Sequence, residues 1–146
     1  MLSHAFNHPA RTAPHADAAP RLRVGVDVVQ ISAVADSLAV FGERYKRRLF
    51  SNDEVAYAVS SPALAAQRLA ARFAAKEAAI KAFGWSEAGI DWRDIEVRRA
   101  ADGSCSLALH GKAAALVERS ACTQIAVSLS HDGDCATAIV AALAPD

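Results

Sequence analysis

The stretch Arg72-Phe-Ala-Ala-Lys-Glu-Ala-Ala-Ile-Lys-Ala-Phe83 decides the fold. It holds no Gly or Pro and one β-branched residue, Ile80, and Gly84 follows as a stop, so it reads as a helix. At about 100° per residue, Glu77 falls roughly 40° from Phe73 and 60° from Ile80, at the edge of the apolar stripe. Lys81 follows one turn later on the same side. Two readings stand side by side: an exposed i,i+4 ion pair worth a few tenths of a kcal/mol, or an acid and a base held for chemistry.

Working outward, Pro62 starts this long helix and Gly84 ends it. Upstream, Ser51-Asn-Asp-Glu54 fits a capping box, with Ser51 as N-cap and Glu54 three residues on, opening a shorter helix through Val55 and Tyr57. Before it comes Glu43-Arg-Tyr-Lys-Arg-Arg-Leu-Phe50, whose bases crowd into a turn or two; Arg44, Arg47 and Arg48 make it a dock for an acidic partner or simply a solvated surface. Ile31 to Phe41 reads as a helix closed by Gly42.

Strands flank this helical centre. Arg23-Val-Gly-Val-Asp-Val-Val29 has the pattern of a buried strand interrupted by one acid, and an ionised Asp27 there needs a cation, a metal or backbone amides. After the loop from Gly84 to Gly89, segments 92–98 and 104–109 alternate around Asp102-Gly103, a hairpin signal. Gly111 to Arg119 reads as a short amphipathic helix. Gln124 to Leu129 and Cys135 to Leu143 read as core strands joined by Ser130-His-Asp-Gly-Asp134, which sets His131 at the mouth of a turn.

Length and composition exclude several classes. The 146 residues suit one domain, with 53% apolar and 22% charged residues. Sixteen basic residues balance sixteen acidic ones, which argues against a nucleic-acid wrap. No apolar run is long enough for a membrane span and no secretory leader pattern is present, so the cytoplasm is expected. Cys105, Cys122 and Cys135 lack paired metal spacing and read as small core residues. Residues 1–20, with three prolines and no period, are expected to form a disordered tail, leaving 21–146 as the domain.

Asp27 and Glu77 offer two hard oxygens, while Lys81 and Arg72 offer cations to anionic oxygens. That is a kit for Mg2+ shared with phosphates. Gly25-Val-Asp27, Phe50-Ser-x-x-Glu54, the Arg72 to Phe83 helix, Trp92-x-Asp-Ile-Glu-Val97 and Val127-Ser-Leu-Ser-His131, in this order, resemble the holo-[acyl-carrier-protein] synthase family of 4′-phosphopantetheinyl transferases.

The resemblance implies an α+β fold in which an antiparallel sheet packs against a long central helix. It also implies Mg2+-dependent transfer of 4′-phosphopantetheine from coenzyme A to a serine of an apo acyl carrier protein, releasing adenosine 3′,5′-bisphosphate. Asp27 and Glu77 would hold the metal and Lys81 would neutralise the pyrophosphate. Arg72 and His131 would lie near the coenzyme's phosphates and Gly103 beside its adenine. Activation of the serine falls to Glu77 or to water on the metal. Compact members are homotrimers with sites between neighbours; Asp27, Glu77 and Lys81 would come from one chain and Arg72, Gly103 and His131 from the next. Arg44, Arg47 and Arg48 would face the carrier, of fatty-acid or polyketide type.

Where the family usually has an acid three residues after Asp27 and an Arg six after, this chain has Gln30 and Ala33; its hairpin reads Gly103-Ser-Cys105 in place of Gly-Lys-Pro. These departures motivate one alternative, a non-catalytic carrier-binding subunit of the same fold. A metal phosphohydrolase suggested by His131-Asp132 lacks the companion histidine pairs.

Overall fold

The computed structural model describes residues 19–145. Strand β1 (Arg21–Gln30) leads into α1 (Ile31–Phe41), α2 (Glu43–Leu49), α3 (Asn52–Val59) and the long α4 (Ala65–Phe83). The hairpin of β2 (Ile95–Arg99) and β3 (Cys105–Leu109) follows, then α5 (Gly111–Arg119), β4 (Gln124–Asp132) and β5 (Cys135–Ala144). All pairings are antiparallel: β1-β5-β4 form one sheet and β2-β3 a second. The expected α+β class holds, with the strands divided between two sheets around α4.

Small residues let these layers approach closely. Ala70, Ala71, Ala74, Ala75, Ala78, Ala79 and Ala82 of α4 are buried, and β5 turns Ala136, Ala138, Val140 and Ala142 inward. Gly25 of β1 completes the fit: a Cβ there would stand 2.0 Å from the Ala78 carbonyl oxygen. No side chain can enter without pushing strand from helix, since backbone cannot yield as a flexible side chain does.

The capping box forms as expected: the Ser51 hydroxyl accepts from the Glu54 amide and Glu54 accepts from the Ser51 amide. Glu54 does more than cap. Its carboxylate also takes the Val97 amide of β2 and pairs at 2.7 Å with Lys76, both side chains being wholly excluded from solvent. The Lys76 ammonium donates further to the carbonyls of Trp92 and Ile95. One buried pair thus ties α3, α4 and β2 together with every ammonium proton used.

Several boundaries differ from the sequence expectations. Pro62–Leu64 forms a 3-10 turn before α4, and Trp92–Asp94 another before β2. The basic stretch after Gly42 is a full helix, α2. β4 extends through Asp132, so His131 lies within a strand, opposite Ala136, though still exposed. Of the cysteines expected in the core, Cys105 and Cys122 are half-buried and Cys135 is exposed.

β1 is not buried on both faces. Leu22, Val24, Val26 and Val28 point outward and are exposed, because α4 covers only the other face of this sheet; Ile139 of the central β5 is exposed on the same side. The first eighteen residues of the expected tail lie outside the described residues.

Candidate active site

Alternation along β1 puts Gly25, Asp27 and Val29 on the face that meets α4. Close approach at Gly25 then carries Asp27 to the last turns of the helix. Lys81 Nζ donates at 2.9 Å to Asp27 Oδ1 and at 3.1 Å to the Val26 carbonyl. The Asp27 side chain keeps 17% exposure and that of Lys81 54%, so this pair opens to solvent.

Glu77 completes the group one turn before Lys81. Burial, and then the negative charge of Asp27, push its carboxyl above the ordinary glutamate range, against an opposing pull from Lys81. The hydrogen bond to Asp27, and then its charge, raise the Lys81 ammonium. Asp27, Glu77 and Lys81 therefore act on one another electrostatically. A cleft of about 310 Å³ adjoins it, lined by Glu77, Ile80, Trp85, Gly89, Ile90 and Trp92.

An acid whose pKa is raised by burial and then by the charge of Asp27 suits a divalent cation, which would offset the charge of both carboxylates. Among the described residues no group of three or more His, Cys, Asp or Glu is placed to hold a metal. The donor set fits Mg2+, which takes one or two carboxylates and completes its octahedron with water and substrate phosphates.

A second cluster lies elsewhere on α4. Arg72 is about 140° around the helix from Glu77, five residues away. Its side chain is buried, its Nη1 donates to the Arg68 carbonyl and its Nε has no hydrogen-bond partner among the described residues. The Arg68 and Arg72 guanidinium groups each lie 4.3 Å from the Tyr57 ring centroid, with Arg99 at 5.5 Å. These four residues, with Cys105 and His131, line a cleft of about 280 Å³ to which no carboxylate of the described residues contributes. Burial lowers the Arg72 pKa from its ordinary value, with Glu54 and Tyr57 opposing.

Gly103 sits at the β2-β3 turn with φ +89°, and an added Cβ would meet Arg99 at 3.2 Å. It therefore borders the second cluster. Arg68, Arg99 and Tyr57 were not singled out from sequence. The i,i+4 spacing of Arg68 and Arg72 is a readable signal for one of them; Arg99 is carried in by hairpin register and has none.

Arg44, Arg47 and Arg48 are exposed on α2, while Lys46 pairs with Glu43. Val40 and Phe41, 73% and 57% exposed, set an apolar edge beside them. Gln30 and Ala33 are both exposed. The start of α1 is held by Asp134, whose carboxylate accepts from the Ser32 amide and hydroxyl.

A sequence model of the 4′-phosphopantetheinyl transferase superfamily matches residues 23–140. Holo-[acyl-carrier-protein] synthase of Gloeobacter violaceus is 40% identical over 121 residues, covering 83% of this chain and 92% of its own. That of Nitratidesulfovibrio vulgaris is 43% identical over 118 residues, covering 80% and 94%. Among solved structures, the ACPS-CoA complex of Chronobacterium ammoniagenes superposes with a TM-score of 0.77 at 33% identity, covering 86% of this chain and 99% of that one. The chain belongs to the 4′-phosphopantetheinyl transferase superfamily, among the holo-[acyl-carrier-protein] synthases.

Proposed function

We propose that this enzyme moves 4′-phosphopantetheine from coenzyme A to a serine of an apo acyl carrier protein in a Mg2+-dependent reaction. The serine oxygen bonds to the phosphorus that carries pantetheine, the pyrophosphate P–O bond breaks, and adenosine 3′,5′-bisphosphate leaves. The observation that carries this reading is the shared field of Asp27, Glu77 and Lys81.

Asp27 and Glu77 would hold the ion, and the chemistry a bound Mg2+ supplies is neutralisation of charge on the pyrophosphate. Lys81 adds a solvent-facing cation to the same phosphates. Glu77, whose pKa is raised by burial and by Asp27, is a stronger base than an ordinary glutamate, which suits the uptake of the serine proton. The cleft between Trp85 and Trp92 gives the pantetheine arm an apolar wall.

Arg68, Arg72, Arg99 and His131 suit the remaining phosphates of coenzyme A, with Gly103 allowing the adenine close. On one chain Arg72 leaves α4 about 140° around from Glu77, and a neighbouring copy would bring a second such cluster to the coenzyme. A homotrimer, with neighbours completing each site, would provide this. The outer face of the β1-β5-β4 sheet supports it: Leu22, Val24, Val26 and Val28 stand exposed beside Ile139. Light scattering on the eluting protein should return three times the chain mass; a monomer under assay conditions counts against the shared site. Arg44, Arg47 and Arg48 would steer the acidic carrier, aided by Val40 and Phe41.

Mass spectrometry of apo carriers incubated with coenzyme A tests the reaction. Addition of phosphopantetheine to at least one fatty-acid or polyketide carrier is expected, lost with a chelator and restored by Mg2+. No mass gain on any carrier in the panel, with Mg2+ present, would sink the proposal.

A further inference from the structure

Cys105 carries a nucleophile into the basic cleft, and nothing in the proposed transfer uses it. It is the cross-strand partner of Arg99, so the two side chains share one face of the β2-β3 hairpin. Its sulfur is half-buried and unpaired by any disulfide, and it is near enough to Arg72 for the two to interact electrostatically. Arg68 and His131 line the same cleft, to which no carboxylate of the described residues contributes. Arg72, 4% exposed, has an Nε without a hydrogen-bond partner among the described residues, so the cations of this cleft have room for an anion.

Cys135 provides the opposite surroundings in the same chain. It is exposed, stands across the turn from Asp132 and follows Asp134 directly. On exposure alone Cys135 should react first. On charge, an anionic reagent should favour Cys105.

We infer that Cys105 is a thiol-disulfide exchange site for small disulfides bearing phosphate or carboxylate groups, gathered by Arg68, Arg72 and Arg99, and that the adduct closes this cleft to phosphate ligands. In the exchange, Cys105 gives its proton to solvent and its thiolate attacks one sulfur of the disulfide. A mixed disulfide forms and the other half leaves as a thiolate. The consequence for coenzyme binding rests on the proposed function; the exchange itself does not.

The test labels the native, full-length protein with a dianionic disulfide, 5,5′-dithiobis(2-nitrobenzoate), and in parallel with neutral 2,2′-dipyridyl disulfide, scoring each cysteine by peptide mass spectrometry. The anionic-to-neutral rate ratio should be on the order of tenfold higher at Cys105 than at Cys135 in low salt. The difference should shrink in roughly 0.5 M sodium chloride, where charge is screened within a few Å, and in Arg99→Gln. Equal ratios at the two cysteines would overturn the inference. Coenzyme A added beforehand should protect Cys105, and the labelled protein should lose coenzyme binding until reduced. Selective labelling that coenzyme A does not prevent would keep the exchange site and remove the coenzyme from this cleft.

Discussion

Helix α4 carries two lysines five residues apart, each paired with an acid from another element, and the two pairs behave oppositely. Lys76 and Glu54 meet in complete exclusion from water, and burial lowers the lysine's pKa although Glu54 opposes it. Lys81 and Asp27 meet at the rim, and the hydrogen bond to Asp27 raises the lysine's pKa. The buried pair has spent its hydrogen-bonding capacity: the ammonium has three acceptors, and the carboxylate takes two backbone amides as well as the lysine. The rim pair sits beside a second acid and open solvent. An ion pair with nothing left to bind is a fastener, whereas one beside an unneutralised Glu77 is a place for a ligand.

Breaking the fastener should have the largest effect. Glu54→Ala strands a buried ammonium and removes the carboxylate half of the α3 capping box together with the β2 anchor, so about 3–5 kcal/mol of stability should be lost, measured by denaturant unfolding. A variant that unfolds at the parent's midpoint would mean that the pair is solvated and that the contrast with Lys81 is false.

Next in size is Glu77→Gln, where function and stability should part. Transfer should fall at least about a hundredfold, roughly 2.7 kcal/mol of transition-state stabilisation. Stability should move the other way. A glutamate whose folded pKa is raised favours the fold fully below its ordinary pKa and loses that advantage as pH rises through the folded value. At neutral pH without metal the ionised side chain is thus a net cost, and the uncharged variant should melt higher than the parent. That gap should close as pH falls below the ordinary glutamate range. Full transfer activity in Glu77→Gln, or a lower melting temperature, would break the distinction between rim and core.

The sequence made the rim more legible than the core. Asp27, Glu77 and Lys81 were readable because charges interrupting an apolar strand and an alanine-rich helix have few bland explanations. Ser51 and Glu54 were legible as a cap, since that motif is local. Their wider role was not, because the partners of Glu54, Lys76 and Val97, are 22 and 43 residues away and meet it only through packing. Lys76 itself reads as an ordinary solvated lysine until the hairpin covers it. The outward valines of β1 were mistaken for core because apolar residues on both faces of a strand read alike, whether covered by the same chain or by another. Arg99 and Cys105 came together by hairpin register, which the Asp102-Gly103 turn hinted at without naming which side chains would face α4.

The smallest of these effects should come from Lys81→Ala, which tests the rim from its cationic side. The Lys81 side chain is mostly exposed, so its loss should lower the melting temperature only slightly, far less than any change at Lys76, the small cost coming from Asp27 and Glu77 left without their shared cation. Catalysis should still suffer, by roughly tenfold, because a cation aimed at phosphate acts when charge develops there. Its removal has a further electrical consequence. Lys81 is the group that holds the Glu77 pKa down against burial and Asp27, so without it the carboxyl should titrate still higher. If Glu77 must be ionised for transfer, the acidic limb of the pH profile of kcat/KM should move to higher pH in Lys81→Ala, with the greatest loss at low pH. An unshifted limb, with activity lowered equally at every pH, would mean that Lys81 serves the ligand alone and that Glu77 takes its character from burial and Asp27.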